Sequence, residues 1–281
     1  MLVVVRKYLE EVSVLKVRVK FSKTGSMKFI GHLDVMRYFQ KAIRRSGIDI
    51  AYSQGFNPHQ LISFAAPLGV GLTSDSEYMD MELRSSFSSE EAMDRLNAAM
   101  NDEIRVESYL ELEEGSKNAM SIVAAADYCV SLKDGYPFVE DFQVKFDKFL
   151  TQPEIIMLKK TKKSEKEINI KPYIYHIGFT AEEFGNKINQ SIGKTVAEQY
   201  ENGQKVYMQI ATGSVVNIKP ELVMEAFCQY TQIPFQPFAY QIHRMEVYAD
   251  LQEDNKGTPE EYGKNRKLVS LEYFGHTIGY Y

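Results

Sequence analysis

The sequence has few of the residues that build metal and redox centres. Its 281 residues include only two cysteines, Cys129 and Cys228, and two distant thiols neither make a CxxC zinc site nor hold an iron–sulfur cluster by themselves. They read as reduced, partly buried thiols of a cytosolic protein. Five histidines fall at no spacing that resembles a zinc or non-haem iron signature, so no metal site is expected. No uncharged apolar stretch reaches the ~18 residues that a membrane span needs. The opening run Met1-Leu2-Val3-Val4-Val5 meets charge at Arg6, too soon for a secretory signal. Neither sign of charge dominates: 33 basic against 38 acidic side chains leave a net of −5, with no global field toward nucleic acid or an anionic membrane. These shortages predict a soluble, cytoplasmic chain without membrane contact, in which any attraction for a polyanion is local.

What is present suits a globular protein with a real core: 44% apolar and 12% aromatic residues, in a length that divides most simply into two domains. From Lys16, Val17, Val19 and Phe21 alternate with Arg18 and Lys20 at the period of a half-buried strand. The period then changes. Leu33, Met36, Phe39, Gln40 and Ile43 predict an amphipathic helix over 32–46, stopped by Gly47. Leu61–Phe64 and Tyr78–Leu83 read as strands, Ser88 to Glu91 as a capping box opening a second helix, and 103–112 as a closing strand. The order strand, helix, strand, strand, helix, strand is the ferredoxin-like pattern.

It can be traced again from Asp127. A strand carries Tyr128, Val130 and Leu132, Phe138–Leu150 suit a helix, and 154–160 and 166–177 read as strands about a lysine-rich turn. Thr180 to Glu183 caps an inserted helix, Val206, Met208 and Ile210 form a strand, Pro220 opens a helix, and 239–249 return as a strand. The expected architecture is α+β, with two ferredoxin-like units in tandem. Residues 1–14 are an extension, 15–115 the first unit, 125–250 the second with its inserted helix, and 251–281 a polar, mobile tail whose aromatic end docks or trails.

The densest cluster of chemically able side chains is Tyr52-Ser53-Gln54-Gly55-Phe56-Asn57-Pro58-His59, just after the first helix. Tyr52, Asn57 and His59 donate, accept or titrate, while Gly55 and Pro58 bend the backbone. The helix supplies a basic stripe, Arg37, Lys41, Arg44 and Arg45, with Asp34 placed to pair with Arg37. Two readings stay open, a solvated polar face or a phosphate-binding one. A lysine-rich turn (Lys159, Lys160, Lys162, Lys163) and the aromatics Phe29, Tyr52 and Phe56 favour RNA, with charge for phosphates and flat faces for unpaired bases. The candidate substrate-binding set is therefore Arg37, Lys41, Arg44, Arg45, Tyr52, Ser53, Gly55, Phe56, Asn57 and Pro58. His32 and His59 are candidates for an acid–base pair if the loop folds over the helix start. Gly69-Val70-Gly71 lacks the rest of either nucleotide fingerprint, and Gly213-Ser214 before the Pro220 helix offers N–H groups to an anion only weakly.

Lys20-Phe21-Ser22-Lys23-Thr24-Gly25, Phe29-Ile30-Gly31-His32-Leu33-Asp34, Arg44-Arg45-Ser46-Gly47 and Tyr52-Ser53-Gln54-Gly55-Phe56-Asn57-Pro58-His59 together resemble the bacterial radical SAM-linked protein family, a domain of unknown function. The resemblance covers roughly residues 15–250, and Gln60 stands where members usually carry proline. Such proteins are encoded beside, or fused to, a radical SAM protein with a cobalamin-binding-type domain, frequently near a ribonuclease of the E/G type. The resemblance therefore implies an accessory substrate-binding protein for a radical SAM partner, in RNA or ribosome-related modification. The iron–sulfur cluster and S-adenosylmethionine would sit on that partner, with no cofactor in this chain. The duplicated arrangement also looks like the CRISPR repeat-processing (RAMP) endoribonucleases, from which no catalytic residue carries over. The rival readings are a metal-independent RNA-processing enzyme using His32 and His59, and a module that only docks a protein.

Overall fold

The computed structural model describes residues 14–160, 165–185, 200–214, 216–252 and 266–279. Strand β1 (Leu15–Lys23) buries Val17, Val19 and Phe21, as its alternation requires. It pairs antiparallel with β3 (Thr73–Leu83) and β4 (Ile104–Leu112), and β2 (Ile62–Phe64) lies antiparallel on the other edge of β3. The strand order of this half is β4-β1-β3-β2. Helices α1 (His32–Ser46) and α2 (Ser89–Ala98) bury Val35, Phe39, Ile43, Ala92 and Leu96 in one core with Met79, Met81 and Leu83 of β3. Gly47 ends α1 in the left-handed region at φ +75°, and the Ser88 hydroxyl opens α2 by accepting the Glu91 N–H.

The second half repeats the order. β5 (Val123–Leu132), α4 (Phe142–Leu150), β8 (Ile174–Gly178), β9 (Lys205–Ala211), α6 (Pro220–Thr231) and β10 (Tyr240–Asp250) give the sequence β10-β5-β9-β8, again all antiparallel. Phe146, Phe149 and Phe227 interlock within its core. Two expectations change here. The strand expected over 166–177 is broken at Lys171–Tyr173 by a single 3-10 turn containing Pro172, which has no N–H to give a ladder. Its first part becomes β7 (Glu165–Asn169), which pairs only with β6 (Ile156–Lys160) in a separate hairpin. Thr180 and Glu183 form the expected capping box on α5 (Ala181–Phe184), beyond which residues 186–199 lie outside the described ones.

The halves join edge to edge where β3 and β10 run parallel, His243 beside Thr73 and Arg244 beside Ser74. The result is a mixed α+β protein with one large, mostly antiparallel ten-stranded sheet and six helices among the described residues, α3 (Ala119–Ile122) lying in the connection. None of the described helices is long and apolar enough to cross a membrane. The tail expected to be mobile contains docked segments. β11 (Leu268–Ser270) pairs with β10 and β12 (Gly275–Thr277) with β4, while Ser89 and Ile278 exchange two hydrogen bonds. Leu271 and Ile278 are buried beneath it, which supplies the apolar anchorage that a polar average over the segment conceals.

The docked tail also completes a charge cluster. The Lys20 ammonium lies 2.9 Å from Glu246 and 2.8 Å from Glu272, and the Tyr78 hydroxyl donates to Glu246 at 2.7 Å. Burial alone would lower the Lys20 pKa, but the two carboxylates reverse this and hold it above 10.5. Burial raises Glu272, and Lys20 together with neighbouring serine hydroxyls more than offsets that, leaving it below 4.5. The raised lysine contributes stability that is present below pH 10.5 and lost as pH rises through its folded pKa. The lowered carboxyl contributes stability present above pH 4.5 and lost as pH falls through its own. Denaturant midpoints should therefore fall at both ends of the pH scale, and Lys20→Met should shrink both losses. An unchanged acid limb in that variant would show that Lys20 does not set the Glu272 equilibrium.

Candidate functional site

α1 turns Val35, Phe39, Ala42 and Ile43 inward, which leaves Arg37, Lys41, Arg44 and Arg45 exposed on the opposite side. Arg37 keeps a solvent-screened pair with Asp34 at 3.3 Å. Arg45 is committed elsewhere, its guanidinium donating to the Ala99 carbonyl at the end of α2. Arg44 folds back along its own helix, Nε donating to the Gln40 carbonyl at 3.2 Å.

The following segment is a hairpin on the edge of the sheet. Ala51 N–H donates to the Glu82 carbonyl, Leu61 N–H to Ala51, and Tyr52 bridges Gln60. Ser53 and His59 close its mouth: Ser53 N–H donates to the His59 carbonyl at 2.9 Å, His59 N–H to Ser53 Oγ at 3.1 Å, and Ser53 Oγ sits 2.8 Å from His59 Nδ1. A hydroxyl that donates to Nδ1 leaves the proton of a neutral imidazole on Nε2. Beyond the mouth, Gly55 takes φ +112°, a conformation L side chains rarely adopt. The bend presents Phe56, 105% exposed, together with exposed Asn57 and Pro58.

One residue ties hairpin to helix. Gln60 is buried, and its Nε2 donates at 3.3 Å to the same Gln40 carbonyl that receives Arg44 Nε. The basic stripe and the hairpin thus meet at one oxygen, which sequence spacing did not reveal. Gln60 Oε1 has no hydrogen-bond partner among the described residues, an acceptor left open at the base of the hairpin. His32 is not part of this meeting. Its ring stands edge-on to Phe64 at 5.1 Å, eight residues and about 12 Å of helix before Gln40. His32 and His59 have separate partners, so the contacts do not assemble an acid–base pair. Of the lysine-rich turn, residues 161–164 lie outside the described ones.

The fold also builds a cleft between the halves. About 400 Å³ in volume, it has residues of loop 65–72 on one side, residues 212–214 and 217–219 with the start of α6 on the other, and Tyr128 and buried Arg244 at its floor. Gly69 and Gly213, read separately in the sequence, stand in its two walls. A Cβ on Gly213 would lie 2.3 Å from the Val123 carbonyl, so only glycine permits this approach. The buried Thr212 hydroxyl in the same wall has no hydrogen-bond partner among the described residues. Among the described residues no three His, Cys, Asp or Glu side chains group as metal ligands. Cys129 and Cys228 are both free and buried, and burial pushes each thiol up.

With α1, the hairpin and most of the cleft inside the matched span, residues 16–220 match a family described as an uncharacterized protein conserved in bacteria, DUF2344. The chain belongs to this family. A search of curated proteins finds no match. The family match ends at Pro220, so the rest of α6, β10 and the docked tail lie beyond it. The floor of the cleft in this member includes Arg244, from outside that span.

Proposed function

We propose that this protein is an accessory substrate-binding protein of a radical SAM enzyme, holding RNA or a ribosome-associated component for modification. The observation that carries the reading is the shared Gln40 carbonyl, which couples the basic stripe to the base of the exposed hairpin. Arg37, Lys41 and Arg44 would neutralise phosphates, while Tyr52, Phe56, Asn57 and His59 would contact bases or the portion to be modified. Ser53, Gly55 and Pro58 shape the loop that presents them. The iron–sulfur cluster and S-adenosylmethionine would belong to the partner, a radical SAM protein with a cobalamin-binding-type domain, in the cytoplasm. The binding surface would be carried on two ferredoxin-like units, about 15–115 and 125–250. The repeated antiparallel orders β4-β1-β3-β2 and β10-β5-β9-β8 support that description.

The test is ultraviolet crosslinking of the tagged chain in its native bacterium, followed by sequencing of recovered RNA, beside a Phe56→Ala/Asn57→Ala variant. A defined RNA, depleted in the variant, is the expected result, with the radical SAM partner copurifying. RNA at background in the wild type would sink substrate presentation and leave a protein-docking module.

A further inference from the structure

Three segments far apart in sequence meet around the N-terminal end of α1. Lys28 lies at their junction: its carbonyl receives the Gly71 N–H, its ammonium reaches Gln241 Oε1 at 3.3 Å, and Gln241 Nε2 returns to the Gly71 carbonyl. Lys133, from the second half, donates its ammonium to the Phe238 carbonyl at 3.0 Å. Among the described residues, the hydrogen-bond partners of both ammoniums are neutral. The Lys133 N–H donates to the Ala239 carbonyl, two residues before the Gln241 that receives Lys28, so both lysines lie at the start of β10; burial and the neighbouring Lys28 both lower the Lys133 pKa. Asp34 on α1 pairs with Arg37, and Asp134, next to Lys133 in sequence, accepts from Glu201 and Asn202.

Around these charges stand large side chains that the fold leaves uncovered. Phe29 is 67% exposed, Phe238 77%, Val70 61% and Leu33 60%. Lys28 lies over the Phe29 ring at 5.2 Å, and Val70 approaches the Gly31 backbone. Leu33, Arg37, Lys41 and Arg44 follow at spacings of three and four, so the patch continues along α1 without interruption to the hairpin. Such a patch, apolar and cationic, is not an ordinary solvated surface.

We infer that Phe29, Phe238, Lys28 and Lys133 extend the α1 stripe across the seam into one track for an unpaired nucleic-acid strand. Aromatic faces in open solvent can stack only on bases that are not paired, and lysines spaced between them meet the intervening phosphates. A duplex hides its base faces and leaves the phenylalanines unused. The inference rests on the RNA-binding reading above and adds the form of ligand and its path over both halves.

Fluorescence anisotropy with labelled oligouridylate of about 12 nucleotides tests it, using the full chain, Phe29→Ala/Phe238→Ala, and a duplex RNA competitor. Both rings are exposed, so the variant should keep the wild-type melting temperature, which is checked first. Affinity should fall by about tenfold or more in the variant, and duplex should compete poorly. Wild-type affinity in the variant would overturn the track while leaving RNA binding through α1 intact. Duplex competing as well as the single strand would overturn it too. No oligouridylate binding by the wild type would overturn this inference together with the reading beneath it, and assign the patch to a protein partner instead.

Discussion

Replacing Glu77 by alanine is expected to destabilise the fold by about 3–5 kcal/mol. Glu77 receives Arg244 through Nε at 2.9 Å and through the terminal nitrogen at 2.6 and 2.5 Å, with both side chains buried. Without the carboxylate, the guanidinium would stay inside the seam as an uncompensated charge, still tied to the Ala66 carbonyl. The ladder offers little in reserve, since β3 and β10 pair at only two positions. Lys23 adds to the burden: burial lowers its pKa, Glu77 opposes that, and removing Glu77 leaves Arg244 repelling it. Replacing both partners by apolar residues, Glu77→Leu/Arg244→Met, removes the buried charge and should recover most of the loss. Urea denaturation decides the matter. A single variant within about 1 kcal/mol of wild type, or a double variant as unstable as the single, would show that the pair does not hold the seam.

The same seam explains which parts of the fold were legible. Helix α1 was readable because its apolar period, its basic stripe and its terminal glycine all agree, and the observed limits are His32 and Ser46. The N-terminal half of β3 was not. Thr73, Ser74, Asp75, Ser76 and Glu77 lie before the strand expected from Tyr78, yet all five belong to β3 and are buried. Their partners come from the far end of the chain: Thr73 Oγ1 lies 2.8 Å from His243 Nδ1, Asp75 lies 3.0 Å from His243 Nε2, and Glu77 holds Arg244. Local hydropathy cannot show burial that depends on an ion pair more than 160 residues away.

The candidate site divides along a similar line. Composition located the hairpin and the stripe, because glycine, proline and spaced arginines carry their meaning locally. Their meeting depends on a backbone carbonyl, Gln40, which has no side-chain signature. Among the described residues no hydrogen bond or ring contact joins His32 to His59, and the hairpin meets the helix at Gln40, about two turns beyond His32. Phe238 and Lys133 escaped notice for the opposite reason: neither lies in a cluster until the second half folds against the first.

Reversing two charges of the stripe, Lys41→Glu/Arg44→Glu, should weaken single-stranded RNA binding by roughly a hundredfold, about tenfold for each phosphate contact. Arg45 is best left intact. Its bond to the Ala99 carbonyl at the end of α2 means that changing it mixes lost stability with lost affinity. Lys41 is exposed, and Arg44 returns only to its own helix, so the melting temperature should barely move. Affinity alone cannot separate phosphate contact from a damaged surface, but salt dependence can. The neutral variant Lys41→Gln/Arg44→Gln should reduce the slope of log affinity against log salt by about 1.4, some 0.7 for each single-strand phosphate released. An unchanged slope with weakened binding would mean that the stripe shapes the hairpin through Gln40 and never touches the strand. A reduced slope would make α1 the phosphate-binding element and leave the hairpin free to read or present a base.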